Sequence, residues 1–144
     1  MNHLPLFLDI KGRPVLVAGG GEAAARRVDM VLRAGGRVRV VAAEASPALK
    51  ELLKREGVEW EARNFQAGDL EECALVFSAI GDDDLDTRIS SLARDVGIPV
   101  NVVDRLALCT FIMPAVIDRS PVLVAISSGG EAPILSRVLK ARLE

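Results

Sequence analysis

A doubly wound α/β domain is what this sequence predicts. Short apolar runs of β type alternate with stretches whose apolar residues recur at helical spacing, glycines mark most junctions, and the connections are short. Pro14 to Ala18 is the first strand; Gly19, Gly20 and Gly21 follow at once, and Ala24, Val28, Val31 and Leu32 then trace a helix. Gly35 stands where a helix C-terminal glycine belongs, and Val38 to Ala42 is a second buried strand. Ser46 and Pro47 give an N-cap and a first-turn proline to a helix with Leu49, Leu52 and Leu53 on one face, ending at Gly57. Val58 to Arg63 alternates as a strand does, and Ala74 to Ala79 is another apolar strand. Leu85, Ile89, Leu92 and Val96 lie at helical spacing before Gly97, and Pro99 to Val103 is the fifth strand. Residues 1 to about 105 thus fit a parallel sheet covered on both faces.

The pattern then changes. Phe111 to Ile117 and Val122 to Ile126 flank Asp118, Arg119, Ser120 and Pro121, a turn cluster that predicts a short β-hairpin. A last helix begins near Pro133, and its stripe of Leu135, Val138, Leu139 and Leu143 has nothing in the chain to cover it, which points to a partner subunit or a further domain.

The 144 residues, 50% hydrophobic and 26% charged, describe one ordinary globular domain. A net charge of -2 argues against a nucleic-acid or anionic-membrane binder held by bulk electrostatics. Cys73 and Cys109 form no CxxC pair, and His3 is the one histidine, so cysteine-based metal sites and histidine triads cannot be built and no protein-bound metal is expected. No apolar run approaches the roughly 18 residues of a membrane span, and Met1 to Pro5 does not start a secretory leader. A soluble, cytoplasmic protein with reduced thiols is expected.

Gly19-Gly20-Gly21-Glu22-Ala23-Ala24 matches G-x-G-x-x-A between strand and helix, where glycines permit a tight turn and let backbone N–H groups approach a pyrophosphate. Glu44 falls 20 residues after Ala24, just past the second strand, where a carboxylate grips ribose hydroxyls and repels a 2'-phosphate. NAD is therefore favoured over NADP in a Rossmann-like site; the competing reading is a glycine turn that binds no dinucleotide. Arg37 and Arg39 begin the second strand, away from the ligand-facing edge, and read as structural. Asp82, Asp83 and Asp84 follow the fourth strand and suit an acidic helix N-terminus. Asp104 closes the fifth strand, where it can take a proton from a substrate or simply be solvated. Ser128 and Glu131 have capping-box spacing, with anion binding by Ser127, Ser128 and the adjacent N–H groups as the alternative.

HLPLF near the start, VAGGGEAAARR, NVVD at 101 to 104, FIMPAVIDRSPVLVAISSGG at 111 to 130 and SRVLKARLE at the end resemble the N-terminal region of the siroheme synthase family, which covers precorrin-2 dehydrogenases and sirohydrochlorin ferrochelatases. The resemblance spans the whole chain. It implies NAD-dependent oxidation of precorrin-2 to sirohydrochlorin and, in many members, insertion of ferrous iron. It also implies a homodimer, a tetrapyrrole as partner, and continuation into a helical domain. The organisation expected is an NAD-binding Rossmann-like domain over residues 1–110 and a dimerisation segment over 111–144, truncated before that helical domain. Carried over by position, Gly19, Gly21, Glu22, Ala23, Ala43 and Glu44 contact NAD, and Asp104 is the catalytic base. Ser128, Arg105 and Arg119 meet the substrate's carboxylates. Arg105 and Leu106 depart from the small residue and proline that often follow this aspartate. A non-catalytic NAD-binding regulatory module is the alternative from a different class; it needs the nucleotide site but not Asp104.

Overall fold

The computed structural model describes Met1–Glu144. In the unit formed by Leu8–Phe111, five strands make one parallel sheet: β1 (Pro14–Ala18), β2 (Arg37–Val41), β3 (Val58–Glu61), β4 (Leu75–Ser78) and β5 (Val100–Val102), in the order β3-β2-β1-β4-β5. Helices α1 (Glu22–Arg33) and α2 (Pro47–Leu52) follow β1 and β2, and α3 (Asp83–Asp95) links β4 to β5. The strand order reverses between β1 and β4, so the loops at their carboxyl ends diverge and leave a crevice, where open α/β sheets bind ligands.

Alternation along the strands assigns the two faces. Leu16, Ala18, Val41, Val76, Val100 and Val102 join Ile89 and Ala93 of α3 in one buried cluster. On the opposite face, α1 presents Ala24, Val28 and Val31 towards the sheet, with Val15, Val17, Val40 and Phe77 buried. The five expected strands are all present: β1 has the expected bounds, β2 lies one residue earlier than Val38 to Ala42, and β3, β4 and β5 are each two residues shorter than expected. Gly35 has φ +79° and follows α1 as a helix-ending glycine does. Ser46 caps α2, its Oγ accepting from Leu49 N at 3.2 Å.

Two short 3-10 turns, Ala67–Leu70 and Leu106–Leu108, carried no sequence signal. The first is locked by side chains: the Arg63 guanidinium donates to both carboxylate oxygens of buried Asp69 at 2.6 and 2.9 Å, and Gln66 N donates to the same carboxylate at 2.7 Å. These bonds, Arg63 foremost, hold the Asp69 carboxyl below the usual carboxylate range. Arg39 donates to Asp69 O and Arg37 to Gly12 O, the structural roles expected of both.

The second unit comprises Met1–Phe7 and Ile112–Glu144. It holds an antiparallel hairpin, β6 (Ala115–Arg119) and β7 (Val122–Ile126), and helix α4 (Pro133–Leu143). Residues 111–114, read as the start of a strand, are not one: Pro114 immediately precedes β6, and a proline lacks the N–H a strand ladder uses. Ser128 and Glu131 do not form a capping box. Helix α4 starts four residues later than that spacing needs, with Ala132 as its N-cap, and the Ser128 hydroxyl instead accepts from Ala132 N at 2.9 Å.

Candidate functional site

The carboxyl ends of β1, β2, β4 and β5 carry four loops, and most of the singled-out residues stand on them. The three glycines of the first loop are held for different reasons. Gly19 has φ +124°, and a Cβ there would lie 2.5 Å from Ala79 O, because this turn presses against the loop after β4. Gly20 packs on the loop after β2: its carbonyl accepts from Ser46 N at 2.7 Å, and an added Cβ would fall 1.8 Å from Glu44 O. Gly21 has an ordinary φ of -90°, and a Cβ on it would meet no protein atom within 4 Å. The fold needs glycine at 19 and 20. At 21 it leaves open space.

Gly21 is also the N-cap of α1, and no side chain caps that end. The first-turn N–H groups have no acceptor inside a helix, so those of Glu22 and Ala23 are left as donors at the positive end of the helix dipole. Ala43 and Glu44 sit exposed on the loop after β2, and the Glu44 carboxylate makes no ion pair or hydrogen bond. Open space at Gly21, unclaimed donors and a free carboxylate one loop away fit the pyrophosphate and ribose of a dinucleotide.

After β5, Asp104 is exposed and held in the left-handed region at φ +61°, a conformation aspartate tolerates better than most residues. The turn is fixed by Arg105 N donating to Val102 O at 3.2 Å, and by Val103 N donating to Ser78 O at 2.9 Å. No side chain bonds the Asp104 carboxylate. Arg105 is paired with Asp83 at the start of α3, so its guanidinium is already engaged. Asp82, as expected, caps α3 by accepting from Leu85 N at 2.9 Å.

Arg27 was missed from sequence. It lies on the second turn of α1 with its guanidinium carbon 5.6 Å from the centre of the Phe77 ring, while its Nε is buried with no acceptor. Burial is the main cause, and Arg26 the second, of a lowered Arg27 pKa, which the fields of Asp104 and Cys109 oppose. The available signal was an arginine set among Ala24, Val28 and Val31, inside the apolar stripe of the helix.

Ser128 and Arg119 belong to the other unit. Ser128 lines a cleft with His3, Ser127, Gly129 and Glu131. Arg119 donates to Glu144 O at 3.5 Å.

Residues 6–115 match a family model described as "Putative NAD(P)-binding". The chain belongs to this NAD(P)-binding family. It is 50% identical over 144 residues to siroheme synthase of Ectopseudomonas mendocina (strain ymp), and 52% over 148 residues to siroheme synthase of Nitrosospira multiformis. Each match covers all of this NAD(P)-binding chain and 31% of the relative, so the chain spans about a third of the length of these curated relatives. Among solved structures, "SirC, precorrin-2 dehydrogenase" superposes with a TM-score of 0.78 at 28% identity, over 98% of this chain and 69% of that one. The apo-structure of D-lactate dehydrogenase from Escherichia coli shares the fold over 71% of this chain and 32% of that one, with a TM-score of 0.53 at 17% identity. No helix is long and apolar enough to cross a membrane.

Proposed function

We propose that this chain carries out NAD-dependent oxidation of precorrin-2 to sirohydrochlorin, with insertion of ferrous iron as a second step that uses the same carboxylate. The observation that carries the reading is Asp104: an unpaired carboxylate at the carboxyl end of β5, on the same sheet edge as the glycine turn. The similarity to siroheme synthases and to a precorrin-2 dehydrogenase supports it. Two free thiols suit a cytoplasmic setting.

In this reading Gly21 leaves room for the pyrophosphate, the N–H groups of Glu22 and Ala23 donate to it, and Ala43 and Glu44 border the adenosine ribose. NAD, when bound, supplies the hydride acceptor. The oxidation removes one hydride and one proton from the tetrapyrrole, and Asp104 takes the proton. Metal insertion releases two pyrrole N–H protons, which the same carboxylate is suited to accept in turn. Ser128 orients the substrate through its hydroxyl. Arg119 and Arg105 are weaker candidates for its carboxylates, since Arg105 would first have to leave Asp83. Anaerobic turnover of precorrin-2 with NAD tests the assignment, and NAD binding without turnover would favour a regulatory module.

The unpaired Glu44 carboxylate should disfavour a 2'-phosphate, so NAD is expected to bind at least about tenfold more tightly than NADP. Calorimetric titration of both, on wild type and Glu44→Gln, checks this. Equal affinities in the wild type would remove that role from Glu44.

The chain is also proposed to form a homodimer through Met1–Phe7 and Ile112–Glu144. Val122, Leu123, Leu135, Val138, Leu139 and Leu143 are all exposed there, more apolar surface than a soluble monomer ordinarily leaves uncovered. Sedimentation at micromolar concentration should give a dimer, and Leu135→Glu with Leu139→Glu should give a monomer. A wild-type monomer would contradict the proposal.

A further inference from the structure

We infer that Arg27 is a specificity-determining residue that receives a carboxylate of the tetrapyrrole substrate; this rests on the function proposed above and adds a residue to it. Arg27 is half-buried and takes part in no ion pair or hydrogen bond, although burying a guanidinium without a bonded anion is costly. Its position is nonetheless well fixed. The guanidinium lies over Phe77, whose ring is met edge-on by Phe111 with centroids 5.5 Å apart.

A second observation marks the same place. Only two buried side-chain polar atoms lack a partner, Arg27 Nε and Asn101 Oδ1. Asn101 is the register partner of Phe77, so both side chains lie on the face that α1 covers. The Asn101 amide is held in turn, its Nδ2 donating to Phe111 O at 3.1 Å. Buried polar groups left unsatisfied in a folded protein call for a specific explanation; Arg27 lies over the Phe77 ring and Asn101 is the register partner of Phe77, and of the two only the guanidinium is a donor suited to an anion.

The chemistry of the missing partner follows from the fork. With Nε sealed, the terminal nitrogens of Arg27 remain free to donate, and a planar guanidinium whose stem is already immobilised suits a carboxylate and loses little entropy in binding it. A dinucleotide phosphate fits less well. Arg27 is five residues into α1 beyond Glu22, about 7 Å along the axis from the first-turn N–H groups. Among carboxylates, Asp104 on the loop after β5 is the one that opposes the lowering of the Arg27 pKa. The other candidates for the role are occupied, Arg105 by Asp83 and Arg119 by the Glu144 carbonyl.

The test compares wild type, Arg27→Gln and Arg27→Met for binding of sirohydrochlorin, of its carboxyl-esterified form and of NAD, with melting temperatures alongside. Met keeps an apolar stem on Phe77 and guards against a variant that merely unfolds. Both variants should bind sirohydrochlorin about 10- to 100-fold more weakly, the range expected for one charge-assisted bond pair. NAD affinity should stay within about twofold, the melting temperature should not fall, and the ester should bind wild type and variants alike. Unchanged sirohydrochlorin affinity in folded variants would overturn the inference, as would a parallel loss of NAD affinity, which would assign the arginine to the dinucleotide. Failure of the wild type to bind sirohydrochlorin at all would instead refute the proposed function on which the inference rests.

Discussion

Asp104→Asn is expected to lower precorrin-2 oxidation by about 100- to 10,000-fold, the usual contribution of a positioned general base, while leaving NAD affinity unchanged. The substitution keeps the size and polarity of the side chain and its tolerance of the left-handed backbone at φ +61°, so the loop should persist. What it removes is the proton acceptor. No side chain bonds the carboxylate, so the fold loses no hydrogen bond with it, and the effect should fall on kcat rather than on stability. Single-turnover absorbance with parallel NAD titration separates the cases. Loss of both activities together would make the aspartate structural, and unchanged turnover would remove it from the chemistry. Ser128→Ala is the matched comparison: its hydroxyl accepts one bond, from Ala132 N, and its loss should cost about 1 kcal/mol of stability or substrate affinity without stopping oxidation.

Gly21→Val should abolish NAD binding in a protein that still folds. Its φ of -90° suits any L-residue, and the added Cβ meets no protein atom within 4 Å, so the fold leaves room there that a ligand would otherwise fill. Gly20→Ala should behave in the opposite way. Its methyl would stand 1.8 Å from Glu44 O, a backbone atom that cannot swing aside, so the loops after β1 and β2 must separate and the protein loses stability. Thermal melts with NAD titrations distinguish the pair. Equal destabilisation by both changes would mean that Gly21 serves the fold.

Much of the sheet was legible in the sequence because parallel strands buried on both faces read as apolar runs: Val15 to Ala18 and Leu75 to Phe77 are unbroken, and Val38 to Val41 is interrupted only by Arg39. The glycine turn was legible too, since strand, glycines and helix adjoin. The division of labour among the glycines was not, because the pressure of Glu44 on Gly20 is a contact between loops separated by a whole helix and strand. Ser128 and Glu131 misled because capping-box spacing is short and common, whereas Pro133 sets the start of α4. Arg27 was hidden for a different reason: an arginine on a helix ordinarily reaches solvent, and only the tertiary position of Phe77 turns its stem inward.

The most direct measurement is anaerobic incubation of precorrin-2 and NAD with the native protein that contains this chain, following reduced nicotinamide and sirohydrochlorin by absorbance. Formation of one reduced nicotinamide per sirohydrochlorin, abolished by Asp104→Asn but retaining NAD binding, is the predicted result. NAD binding with no turnover in the wild type, or turnover undiminished in Asp104→Asn, would contradict it.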